Sequence, residues 1–164
     1  MQTARTEFVA EAGSHAVVMT RVFDAPRERM FKVYTDPLLI PQWWGTKRLT
    51  TVVDKIELKP GGVWRYVQRG ADGDAFAFHG VYHEIAPPKR MVSTLEFEGV
   101  AAQVVLETAT FEELEGKTRV TNRSVFQAVE DREGMVRSCM EQGALETMER
   151  LAELVTAPDT MVRR

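Results

Sequence analysis

Apolar and polar positions alternate along most of this chain, and the alternation gives way to a helical period in only a few places. Alternation begins at Ala16 and runs through Val18, Thr20 and Val22 to Phe23, which predicts a first strand. Asp24-Ala25-Pro26 then reads as a helix start, with Asp24 as the cap and Pro26 in the first turn. Met30, Phe31, Val33 and Tyr34 supply the buried side of that short helix. Asp36-Pro37 interrupts it, because the residue before a proline is pushed out of the α region. A second short helix is predicted from Leu38 to about Trp44, ending at Gly45.

Strands then follow in series, each closed by turn chemistry. Thr50–Leu58 ends at Lys59-Pro60-Gly61-Gly62, and Val63–Arg69 ends at a hairpin signal, Asp72-Gly73. Phe76–Ile85, Met91–Glu98, Ala102–Glu112 and Thr118–Phe126 complete the run, separated by Pro87-Pro88, Gly99 and Glu115-Gly116. Strands joined by such short turns must be antiparallel neighbours.

The last element is a helix predicted from Asp131 to Thr156. Val136, Met140, Gly143, Ala144, Thr147, Met148, Leu151, Leu154 and Val155 form its inner stripe, and Arg137, Glu141, Glu146, Glu149, Arg150 and Glu153 fill the outer face. The stripe is uneven. Its C-terminal half carries branched aliphatics that close a core, whereas Met140, Gly143 and Ala144 leave room above a sheet. The pattern therefore predicts an α+β domain: a curved antiparallel sheet of about seven strands, two short helices after the first strand, and a long C-terminal helix. Residues 1–13 read as a flexible leader with room for a short strand, 14–156 as a single domain, and 157–164 as a tail.

Composition narrows the functional classes. A net charge of −3 gives no electrostatic case for nucleic acid or an anionic membrane. A single cysteine, Cys139, excludes an intramolecular disulfide and fits a reducing compartment. No apolar run is long enough to cross a bilayer and no secretion signal opens the chain, so the expectation is a soluble cytoplasmic protein.

Several motifs resemble the SRPBCC (START-like) superfamily, most closely the branch named after the activator of heat-shock-protein-90 ATPase. They are Phe23-Asp24-Ala25-Pro26-Arg27-Glu28, Tyr34-Thr35-Asp36-Pro37, Gln42-Trp43-Trp44-Gly45, Leu58-Lys59-Pro60-Gly61-Gly62-Val63-Trp64, Gly80-Val81-Tyr82-His83-Glu84-Ile85 with Pro87-Pro88-Lys89-Arg90, Gly134-Met135 through Gly143, and Leu151-Ala152-Glu153-Leu154. The resemblance spans about residues 16 to 156 and implies a helix-grip fold, a curved sheet gripping the C-terminal helix with a cavity between. Relatives often carry a tryptophan where Ala144 stands and a small residue where Cys139 stands.

Candidate binding residues follow from faces. Trp64, Tyr66 and Gln68 share one face of their strand, and Arg65 marks the other as the wet one. In the last strand, Arg119 and Arg123 belong in water, which turns Asn122 and Ser124 toward the helix. Trp43 is the structural plug of its pair and Trp44 the ligand candidate. His79 is a candidate polar group beside the cavity, completing a set with Met140, Gly143 and Ala144. His79 and His83 do not make a metal pair, because four residues of strand separate them by ~13 Å, and no second ligand cluster supports zinc. Neither a cofactor motif nor a catalytic base–nucleophile pattern can be assembled, and Cys139 reads as a passive small residue.

The leading expectation is non-catalytic binding of a small hydrophobic, amphipathic or lipid-like molecule in that cavity, with no nucleic acid and no membrane as partner. The resemblance alone supports a rival, an interaction module for a chaperone or other protein with a place in the stress response. A third is a cavity enzyme acting on a cyclic, aromatic or polyketide-like substrate. The oligomeric state is left open, a homodimer included.

Overall fold

The computed structural model describes residues 5–100, 102–138 and 140–157, with the backbone alone at Met140. Among the described residues one antiparallel sheet contains eight strands: β1 (Glu7–Val9), β2 (Ala16–Phe23), β3 (Thr50–Ile56), β4 (Val63–Arg69), β5 (Ala75–Ala86), β6 (Arg90–Phe97), β7 (Val104–Leu114) and β8 (Lys117–Val125). Helix α1 (Arg27–Thr35) and a 3-10 turn (Ile40–Gln42) lie between β2 and β3, and α2 (Val129–Arg137) and α3 (Met140–Val155) follow β8. The spatial order is β1-β2-β8-β7-β6-β5-β4-β3. Every neighbour from β3 to β8 is thus the next strand in sequence, as the short turns require, while β2 crosses to pair with β8, Ala16 opposite Val125. The arrangement is the α+β, helix-grip architecture.

The additional strand is β1, which lies in the stretch read as a leader and pairs with β2 through Phe8 opposite Met19. The predicted cap at Asp24 is replaced by Pro26, which begins α1 without a side-chain hydrogen bond. The second short helix shrinks to the 3-10 turn, whose N1/N2 positions hold Pro41.

The single long C-terminal helix is instead two. The hydroxyl of Ser138 donates to the Met135 carbonyl at 2.8 Å, and its own N–H turns back to Gly134 and Met135, which caps α2. A serine that bonds the preceding turn competes with helix continuation. The two pieces also rest on different clusters. Met135 and Val136 of α2 pack with Val17, Val105 and Phe126 at one end of the sheet. Met148, Leu151, Leu154 and Val155 of α3 are buried in the main core with Phe23, Met30, Val33, Leu39, Ile40 and Phe111.

Aromatic edges join α1 to this core: Phe31 and Tyr34 meet the Phe111 ring at centroid separations of 5.5 and 5.0 Å. The Trp43 indole N–H donates to the Val33 carbonyl at 2.8 Å, fixing the segment after α1 as a plug. Charged side chains also sit inside, Arg21 and Arg132 among them. Arg21, on the inner face of β2, is 6% exposed and pairs with Glu149, itself 62% exposed. Glu149 thus keeps the solvated face expected of it while its carboxylate reaches the enclosed guanidinium.

Candidate ligand pocket between the sheet and the C-terminal helix

The two halves of α3 meet the sheet differently because their side chains differ in size. At the C-terminal half, Leu151 is fully buried. At the N-terminal half, a Cβ added to Gly143 would meet nothing closer than the Thr46 methyl at 3.8 Å. Gly143 and Ala144 line a pocket of about 440 Å³ between helix and sheet. That volume falls in the range of small-molecule sites.

The rim is tied to the helix. Arg150 donates to the carbonyls of Gly45 (2.8 Å) and Gln42 (3.1 Å), and the Thr147 hydroxyl lies 3.2 Å from the Gly45 carbonyl. Glu146 accepts the N–H of Lys47. On the other side, the Thr51 hydroxyl donates to the Trp44 carbonyl at 2.8 Å. Gly45 has φ +89°, a conformation that favours glycine, and a Cβ there would displace the end of the Gln68 side chain, 1.7 Å away at Nε2. Together these contacts hold Trp44 over the sheet.

Trp44 forms the apolar wall with β4 and β5. Its ring meets Tyr66 at 5.1 Å, Phe78 at 5.2 Å and Trp64 at 6.5 Å, all edge to face. The Trp64 indole N–H donates to the Thr94 carbonyl at 3.2 Å. It passes over Gly80, where a Cβ would be 2.6 Å from the indole nitrogen and 1.8 Å from the Thr94 oxygen.

The floor carries a polar row set by register. Ser124 is opposite Glu107, Glu107 opposite Ser93, and Ser93 opposite Tyr82, so four adjacent strands place polar side chains side by side. All four line the pocket. The Ser124 hydroxyl donates to Glu107 Oε2 at 2.7 Å, and the Asn122 amide donates to the Tyr34 hydroxyl at 3.1 Å.

Burial pushes the Glu107 carboxyl up to about 7, with the Ser124 hydrogen bond opposing. Glu107 is only partly enclosed by protein and lines the pocket. Burial likewise raises Tyr34 to about 12, Asn122 opposing and the Glu107 charge adding to the rise. Tyr66 and Tyr82 are also pushed up, by burial first. Among the described residues the pocket lining includes no lysine, arginine or histidine. Such a floor can orient a ligand and exchange one proton near neutral pH.

Of the residues expected to contact a ligand, Trp44, Trp64, Tyr66, Asn122, Ser124, Gly143 and Ala144 come together at this pocket. His79 does not. It stands directly opposite Arg65 on the neighbouring strand, so it shares the outer face, where it meets Glu98 at 2.9 Å and Glu96 at 3.6 Å. Arg65 and His79 hold the Glu98 carboxyl down at about 2, Arg65 contributing most. The Met140 side chain and Cys139 lie outside the described residues. Glu107, Tyr34, Ser93 and Tyr82 are pocket residues that the strand patterns did not single out. The available signal was parity: Glu107 shares its face with the apolar Ala109 and Phe111. Among the described residues no three metal-ligating side chains converge, and no helix is long and apolar enough to cross a membrane.

Residues 24–156 match the family described as activator of Hsp90 ATPase homolog 1-like protein. The fold is similar to protein Ms6760 from Mycobacterium smegmatis (TM-score 0.84, 23% identity, covering 95% of this chain and 99% of that one). It is also similar to a protein from Arthrobacter aurescens (TM-score 0.86, 24% identity, 96% and 95% covered). A third, a protein from Rhodobacter sphaeroides, has a TM-score of 0.86 at 21% identity, with 94% and 99% covered. No curated protein matches the chain. At these identities the likeness to solved structures concerns the fold.

Proposed function

We propose that this chain, which belongs to the family of activator of Hsp90 ATPase homolog 1-like proteins, binds a small hydrophobic or amphipathic molecule without transforming it. The observation that carries this is the open pocket under Gly143 and Ala144, walled by aromatic rings and crossed by one polar row. Sites of this character bury most of a ligand's apolar surface and use a few polar groups to orient it. A helix meant only to close a core would carry larger side chains at those two positions, as α3 does one and two turns later at Met148 and Leu151.

Titration with the neutral dye N-phenyl-1-naphthylamine tests this. Binding should be saturable, near one dye per chain, and should quench the indole emission of Trp44 and Trp64, which line the pocket. Dye emission that rises without saturation, or indole emission that stays constant, overturns the proposal and favours a module that works through its outer surface.

A further inference from the structure

Resting on that ligand-pocket reading, we infer that the pocket selects an apolar amine, its ammonium paired with Glu107 on the floor and its apolar body lying against Trp44, Tyr66 and Phe78.

The charge distribution points this way. Among the described residues Glu107 is the carboxylate of the lining, and no cation lines the pocket with it. The titratable side chains that line the pocket with it are Tyr34 from α1, Tyr66 from β4 and Tyr82 from β5, and the polar side chains of the floor are Ser93 from β6 and Asn122 and Ser124 from β8. None carries positive charge. Arg21 is engaged with Glu149, Arg65 with Asp54 and Glu98, and Arg150 with the loop carbonyls of Gly45 and Gln42. Ser124 supplies one hydrogen bond, to Oε2, and among the described residues no donor reaches Oε1. A carboxylate in such a place is costly to ionise unless an opposite charge arrives. A ligand ammonium is that charge, and it brings the missing donors.

The wall suits the same ligand. Aromatic faces carry negative potential and attract ammonium groups and the polarised methylenes beside them. A carboxylate or phosphate amphiphile would meet Glu107 as a like charge. The pocket therefore discriminates against fatty acids by electrostatics and in favour of amines.

A matched series tests the inference: decylamine, decanol and decanoate, each displacing N-phenyl-1-naphthylamine at about pH 8. On the native protein decylamine should compete at a concentration at least about tenfold below decanol, the size of one charge-assisted hydrogen bond, with decanoate the weakest. Glu107→Gln should bring decylamine to within about threefold of decanol. On the native protein, decylamine affinity should fall as pH drops from about 8 to about 5, because Glu107 takes a proton while the amine stays charged. Decanol should not follow.

Decanol or decanoate binding as tightly as decylamine overturns the amine inference and leaves the pocket reading standing. So does decylamine affinity that is flat with pH in the native protein, which needs no variant to fold. If none of the three displaces the dye, both fall.

Discussion

The guanidinium of Arg21, enclosed on β2, meets the carboxylate of Glu149 on α3 at 2.7 Å. Arg21 also reaches the Thr6 hydroxyl at 3.2 Å and lies 5.5 Å from the centre of the Phe23 ring. Its partner is exposed, so the pair links an inner position of the sheet to the outer flank of the helix. Removing one member of such a pair strands the other's charge. Glu149→Ala should cost about 1–3 kcal/mol in a denaturant titration. Arg21→Met, which removes the charge and keeps apolar volume, should cost less. A near-neutral Glu149→Ala would show that the contact contributes nothing measurable.

Leu151 and Glu153 report the two sides of the same helix. Leu151 is fully buried and Glu153 is exposed. Leu151→Ala should destabilise by ~2–5 kcal/mol through the cavity it leaves. Glu153→Ala should stay within about ±0.5 kcal/mol. Similar midpoints for the two variants would mean the helix is rotated from its described position.

Glu107 makes stability depend on pH in a defined window. Its folded carboxyl is raised to about 7 from the ordinary 4.5, so between those values the folded state holds more protons than the unfolded one. Stability then falls as pH rises through the window and is flat above it. The loss is on the order of 1–3 kcal/mol, reduced by the open side of the carboxyl. Glu107→Gln should abolish this slope and be the more stable protein at about pH 8. Glu98, held down at about 2, acts in the opposite sense and only below 4.5. A chain whose urea midpoint is unchanged between about pH 5 and pH 8 would contradict the environment assigned to Glu107.

Ala144→Trp fills the pocket from the helix side. With 440 Å³ open beneath it, the indole has space, and stability should hold to within about 1 kcal/mol. Dye binding should weaken at least tenfold, because the same space is then occupied. A packed site would instead lose ~1–3 kcal/mol to overpacking, which the denaturant midpoint would reveal.

Much of this architecture was legible in the alternation of side chains. Val63–Arg69 is a strand with the predicted ends, and its inward Trp64, Tyr66 and Gln68 all line the pocket. Arg119 and Arg123 mark the wet face of β8 and thereby place Asn122 and Ser124. What alternation alone does not supply is register between strands. His79 looked like an inward polar group until its partner, Arg65, was known. Glu107 was obscured because β7 also exposes Leu106 on its outer face, so apolarity does not distinguish the two sides there. The break at Ser138 was hidden because Val136 of α2 and Met148 of α3 both fit one helical period, although they rest on different clusters.

The pairing of Ala16 with Val125 has a consequence for how the chain is made. Strands β3 to β8 can zip onto one another in the order in which they leave the ribosome. β2 is synthesised before all of them, yet its sheet neighbour across the crossover is the last strand to appear. Its apolar face, Val17, Met19 and Phe23, must wait for more than half of the protein to be translated. Long-range closure of this kind slows folding and prolongs exposure of sticky surface. The N-terminal hairpin of β1 and β2 is therefore the segment of the nascent protein with most need of shelter during translation.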